Sequence, residues 1–279
     1  MSDQPVPGPI GMFDSGLGGL TVLRSLIDLL PHERVVYFGD TGRFPYGPKP
    51  PDEVLAYSLQ IADLLCERGA RAIVVACNSA AAAALDTLSE ELTVPVLGVV
   101  EPGVRAAVKA SRSGRIGVIG TVGTILSGAY ERVTRHIDGS ITLTSAACPG
   151  FVEFVEAGDV ESPQVRALAE RLLAPVREAE VDTLVLGCTH YPLLARTIGA
   201  VMGPEVVLVS SADETALAVR ELLGDQPPLD ARSSPTAAPI RFNEPLHTFL
   251  TSGDVDTFRQ LGARFLGPEV SEVEAWSWS

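Results

Sequence analysis

The sequence predicts an α/β protein of two similar, open, mainly parallel α/β domains, with a site in the cleft between them. Three observations carry this. Short apolar runs alternate with helical periodicities along the chain, the pattern of strands joined by crossover helices. Two of these runs end in a cysteine in matching settings, Ala72-Ile73-Val74-Val75-Ala76-Cys77-Asn78-Ser79 and Thr183-Leu184-Val185-Leu186-Gly187-Cys188-Thr189-His190. Each places a thiol at the carboxyl edge of a sheet, where open α/β sheets bind ligands, so two halves face one site with a sulfur on each side. The length of 279 residues, 46% of them hydrophobic and 20% charged, suits one large domain or two smaller ones with real cores. Breaks near residues 100 and 210 divide it into residues 1–100 plus 211–279 and residues 101–210.

The elements follow in order. Residues 1–9 form a proline-rich lead-in to a strand at 10–13. Asp14-Ser15-Gly16-Leu17-Gly18-Gly19 then turns into a helix that runs to about residue 30. A strand at 35–38 ends at Gly39-Asp40, and a Pro/Gly-rich loop over 41–51 contains Pro45-Tyr46-Gly47. Asp52 is placed to cap a helix with its apolar stripe on Val54, Leu55, Leu59, Ala62 and Leu65, and Gly69 ends it. The Cys77 unit and a helix to about residue 88 lead to a strand at 94–100. The second half begins near Glu101-Pro102-Gly103, with a helix to residue 110 and a strand at 115–119. Gly120-Thr121-Val122-Gly123-Thr124 opens a helix to about residue 136. A strand at 141–145, a helical segment from Cys148-Pro149-Gly150 to Glu156 and a long helix over 162–178 come next. The Cys188 unit leads into a helix with Pro192 in its first turn, then a strand at 206–209 and a helix at 212–223. A Pro/Ser/Asp-rich loop over 224–239 precedes a short strand near Ile240 and a helix at about 258–265. The tail from Val270 shows little beyond two tryptophans and is given no role.

Composition excludes several classes of function. A net charge of −14 argues against a broad nucleic-acid-binding face. No apolar run approaches the length of a membrane span, and the start has neither the basic residue nor the apolar stretch of a secretory signal, so a cytoplasmic location is expected. Four cysteines without Cys-x-x-Cys spacing make neither a disulfide framework nor a zinc site. Gly16 to Gly19 and Gly117 to Gly123 lack the dinucleotide and Walker spacings, so nothing calls for a nucleotide cofactor.

Cys77 and Cys188 therefore stand out. A free cysteine alone is usually a small buried hydrophobe, as Cys66 on its helical stripe reads. Cys148, before Pro149-Gly150, is ambiguous. The two edge cysteines share a position near a helix amino terminus, which favours thiolate. Their followers Asn78-Ser79 and Thr189-His190 offer donors to a bound carboxylate. Asp14 and Ser15 read as a helix cap, or as groups that hold an ammonium or orient a thiol. His190, two residues from Cys188, can tune it or shuttle a proton. Asp40 and Glu156 read as solvated or capping carboxylates, and Tyr46-Gly47 as a turn.

At these residues the chain resembles the glutamate racemases of the aspartate/glutamate racemase superfamily. The matching stretches are Phe13 to Leu20, Tyr37 to Asp40, Pro45 to Gly47, Ala76 to Ala80, Gly98 to Gly103, Cys148-Pro149 through Glu156, and Leu186 to Pro192. They occur in the family's order across about residues 10–265. The resemblance implies cofactor-independent interconversion of L- and D-glutamate, supplying D-glutamate for peptidoglycan synthesis. It makes Cys77 and Cys188 the acid/base pair, Asp14 and His190 their helpers on opposite sides, and Asp40 and Glu156 second-tier helpers. It lines the substrate site with Asp14, Ser15, Tyr46, Gly47, Asn78, Ser79, Thr189 and His190. Ser79 stands where the family commonly has Thr, and Glu153 where it commonly has Pro. No lysine stands in a pyridoxal setting. A homodimer is expected, and the charge and the absence of a long apolar run argue against a direct nucleic-acid or membrane partner. The alternatives are aspartate or another carboxylate as substrate, a two-lobed amino-acid-binding protein, and an added role as an inhibitor of DNA gyrase.

Overall fold

In the computed structural model the described residues are 8–224, 246–270 and 272–278. They build two parallel sheets. The larger contains β1 (Ile10–Asp14), β2 (Val35–Gly39), β3 (Ala72–Val75), β4 (Val96–Gly98), β9 (His247–Thr251) and β10 (Val273–Ala275), in the order β10-β9-β2-β1-β3-β4. The smaller contains β5 (Arg115–Gly120), β6 (Thr142–Ala147), β7 (Thr183–Gly187) and β8 (Val207–Ser210), in the order β6-β5-β7-β8. Every ladder is parallel. The chain leaves β1 for β2 on one side and returns to β3 on the other. It does the same from β5 to β6 and β7. Each sheet therefore has a switch point, between β1 and β3 in one and between β5 and β7 in the other. A crevice opens beyond the carboxyl ends of strands at such points.

The core explains why the strands read as continuous apolar runs. β1, β2 and β3 are buried along their whole length, with helices on their faces. In the smaller sheet, alternate residues serve two cores, as the two-residue period of a strand requires. Ile116, Val118 and Val185 join the core shared with the larger sheet. Ile119, Leu184 and Leu186 pack with Phe151, Val165, Leu173, Tyr191 and Ile198 on the other face. Two helices, α4 (Val100–Ala110) and α11 (Ser211–Leu223), bridge the sheets: α11 lies against α1 (Leu20–Leu29) and α4, and α4 lies on β7 and β8. No helix among the described residues is long and apolar enough to cross a membrane.

The structure corrects several predicted elements. Asp52 is not a cap: α2 (Pro51–Glu67) starts one residue earlier, where Pro51 takes the first helical position that suits its missing N–H. The strand over 94–100 shrinks to β4, because α4 has already begun at Val100. The helix from 120 to 136 is two, α5 (Val122–Leu126) and α6 (Ala129–Ile137), broken where Gly128 takes a φ of 65°. The helix over 162–178 divides into α8 (Pro163–Leu172) and α9 (Ala174–Glu178), because Pro175 cannot donate the bond that would continue it. Cys188 is followed by a 3₁₀ turn (Tyr191–Leu194), and α10 (Ala195–Met202) begins only afterwards. The strand near Ile240 lies outside the described residues. Neither β9 nor the tail strand β10 is marked by the sequence pattern, although the helix near 258–265 is present as α12 (Val255–Leu266).

Candidate active site

The two switch points face a common cavity of ≈ 110 Å³. Cys77 and Cys188 both line it, Cys77 two residues after β3 and Cys188 directly after β7, the strands that flank the switch points. The cavity is also lined by Ser15, Tyr46, Gly47, Asn78, Ser79, Thr189 and His190 from the predicted set. Asp14, Asp40 and Glu156 do not line it and act on residues that do. Sequence reasoning missed Phe44, Thr121, Glu153 and Tyr191 and left Cys148 open, and all five contribute to the wall. Thr121 carried a legible signal: it is the first residue after β5, as Cys188 is after β7.

Cys77 is the N-cap of α3 (Asn78–Glu91), and its Sγ accepts the Ala80 N–H at 3.5 Å. Its thiol faces Ser15 Oγ at 3.6 Å. Burial, reinforced by the nearby Asp14 carboxylate, pushes the Cys77 thiol up to about 12, so it holds its proton at neutral pH. Asp14, fully buried at the end of β1, accepts the Gly16 N–H at 2.8 Å and the Thr189 hydroxyl at 3.3 Å. Burial raises its carboxyl above the usual range, against the opposing pull of His190.

The Cys188 side is built differently. A four-residue 3₁₀ turn offers little of the aligned dipole that the 14-residue α3 presents to Cys77. His190 provides the positive charge instead. Its Nε2 lies 3.3 Å from Glu156 Oε1, and its ring packs edge-on to Phe265 with centroids 5.7 Å apart. Burial pulls its imidazole down, but bonding to Cys188 and Glu156 outweighs this and holds it at about 10. The ring is then a cation beside the Cys188 sulfur. Asp14 lies within electrostatic reach of both Cys77 and His190, and so between the two halves.

The remaining wall ties the sheets together. Ser79 Oγ meets Thr121 Oγ1 at 2.9 Å and Thr124 Oγ1 at 3.1 Å, so hydroxyls from α3 and α5 share one cluster. The Gly123 N–H donates to the Gly47 carbonyl at 2.9 Å. Asn78 Nδ2 reaches Tyr130 OH at 3.5 Å, while its Oδ1 is buried without a partner. That oxygen is an acceptor ready for an ammonium group. Asp40 is saturated: its oxygens accept from Tyr46 OH, Arg43 Nε at 2.6 Å, Ser252 Oγ at 2.6 Å and Trp278 Nε1 at 3.3 Å. These bonds tie Asp40 to the loop that carries Tyr46.

Such an arrangement suits proton transfer on either side of a small carboxylate. Residues 16–221 match the family model described as Asp/Glu/Hydantoin racemase. The glutamate racemase of Corynebacterium glutamicum is 50% identical over 276 residues, covering 98% of each chain. Among solved structures, a glutamate racemase isoform from Bacillus anthracis is similar with a TM-score of 0.86 and 39% identity, over 98% of this chain and 97% of that one. The glutamate racemase of Francisella tularensis, solved in complex with D-glutamate, has a TM-score of 0.85 and 31% identity over 98% of each chain.

Proposed function

The chain belongs to the Asp/Glu/hydantoin racemase family, and from that premise we propose that it interconverts L- and D-glutamate by passing the α-proton between Cys77 and Cys188. The observation that carries the reading is that two thiols, from equivalent positions in two sheets, line one cavity. Its product serves peptidoglycan synthesis, as in the family.

The geometry allots the roles. A thiolate on one side removes the α-proton, and the thiol opposite delivers a proton to the other face. The two sulfurs then have exchanged states. Cys77, held protonated by burial, is the acid on one side, and Cys188, with His190 beside it, takes the opposite part. The α3 amino terminus and the Ser79 and Thr121 hydroxyls line the cavity with donors for carboxylate oxygens. Asn78 Oδ1 supplies an acceptor for the ammonium group. Glutamate bound in the cavity displaces water from it, and excluding water strengthens each of these interactions.

The same reading divides the chain into residues 1–100 plus 211–279 and residues 101–210, a division supported by membership of the two sheets. Assembly as a homodimer belongs to it as well. Leu126 is 80% exposed on the helix that begins with the cavity residue Val122, an apolar contact for a second copy that light scattering tests. Four free cysteines, two of which must stay reduced to work, favour the cytoplasm.

The test is exchange at the α-carbon in deuterated water with purified L- and D-glutamate, with aspartate as a competing substrate. Wild-type protein inverts glutamate and incorporates deuterium into both enantiomers. Cys77→Ala and Cys188→Ala each lose inversion and keep at most exchange on one enantiomer. Inversion near the wild-type rate by either variant removes the two-thiol mechanism.

A further inference from the structure

We propose that the C-terminal segment, through Trp278, positions the substrate loop, holding Tyr46 and Gly47 against the cavity by way of Asp40 and Arg43. This rests on the reading of the cavity as a glutamate site. The loop over residues 41–50 has no regular secondary structure, yet it places Phe44, Pro45, Tyr46, Gly47 and Pro48 in the wall. A loop without ladder bonds needs its order from side chains.

Those side chains converge on Asp40, fully buried at the end of β2. Asp40 Oδ2 accepts from Tyr46 OH and from Arg43 Nε at 2.6 Å. Its Oδ1 accepts from Ser252 Oγ at 2.6 Å and Trp278 Nε1 at 3.3 Å. One carboxylate thus joins the loop, the end of β9 and the tail. Arg43 is clamped as well, its guanidinium 4.0 Å from the Tyr57 ring centre and 4.1 Å from that of Trp278. Stacking of this kind fixes the plane of the guanidinium, and with it the direction of its bond to Asp40.

The tail is anchored for this task. β10 adds to the sheet beside β9, in register at Phe249, Leu250 and Thr251. The Trp276 N–H donates to the Thr251 carbonyl at 2.7 Å, and the Trp278 ring packs on Phe38 at 5.3 Å between centroids and on Trp276 at 6.1 Å. Thr251 Oγ1 meets Thr41 Oγ1 at 2.6 Å, and Gly42 N–H donates to Ser252 Oγ at 2.9 Å. β10 and the two tryptophans that follow it pack as one unit beside β9. Here they deliver one indole N–H and one aromatic face to the group that holds Tyr46.

Full-length wild type, Trp278→Ala and Trp278→Phe are compared by hydrogen exchange of the peptide covering residues 41–49 and by kcat and KM for D-glutamate. Trp278→Ala speeds exchange in this peptide by about tenfold or more, because its local order is lost while peptides from β1 and β3 are unchanged. Its KM rises about tenfold, with a smaller loss in kcat, because substrate positioning suffers before the thiol chemistry does. Trp278→Phe keeps the stack and loses only the N–H, so it falls between the two. Unaltered exchange over residues 41–49 in a variant of wild-type thermal midpoint overturns the inference. If Trp278→Ala does not fold, Trp278→Phe decides by the same readouts. Exchange needs no substrate, so a wild type that fails to racemise glutamate would remove the functional reading and leave the exchange result standing.

Discussion

Gly18 shows how much of this site depends on single atoms. A Cβ there would lie 2.2 Å from Thr189 Oγ1 and 2.5 Å from His190 Nδ1. Gly18 is thus explained by the close approach of the Cys188 loop, while Gly16 lies against Phe44 and Gly19 against Asp14 and Tyr37, and no phosphate is needed to account for them. We expect Gly18→Ala to push the Thr189-His190 pair away from Cys188 and lower kcat/KM by about a hundredfold, a displacement of about 1 Å being enough for that loss. Steady-state kinetics beside a thermal melt checks it. Spacing in the sequence picked out Cys77, Cys188, Ser15, Asn78, Ser79, Thr189 and His190, because each lies only a few residues past a strand end. Thr121 and Glu153 escaped because their polar side chains look like ordinary caps until the second sheet is placed opposite the first.

At the level of elements, the two thiols differ in the structure that each one introduces. Cys77 caps a full α-helix, whereas Cys188 precedes a tight turn and has the His190 ring beside it. The equal treatment of the two units in the sequence therefore holds for the strands and fails for the helices. Tyr191 precedes Pro192, which disfavours α conformation there and leaves a 3₁₀ turn. One consequence is testable by denaturant unfolding. Cys77→Ser keeps an oxygen able to accept the Ala80 N–H, while Cys77→Ala removes the cap. The serine variant should be the more stable of the two by about 1 kcal/mol, with both unable to invert glutamate.

For the whole molecule, the buried charges set a pH dependence. His190 is held at about 10 in the fold against an ordinary 6.5, and Cys77 at about 12 against 9.0. Between those limits the folded chain binds more protons than the unfolded one, so stability is full below the ordinary values and is lost as pH rises through the raised ones. The denaturation midpoint should fall from pH 7 to pH 10, by about 1 kcal/mol or more in free energy, and His190→Gln should flatten that fall. A wild-type midpoint constant over this range would contradict the assignment of a buried imidazolium. The α/β class, the order of most strands and the two edge cysteines follow from the sequence alone. Apolar runs, glycine turns and cap residues are local signals, and parallel strands must be buried on both faces. Two other features arose only in the folded chain: the saturation of Asp40, and the recruitment of the tail as an edge strand beside the loop that carries Tyr46. Each joins residues far apart in sequence, and no local period records which distant surface will lie opposite.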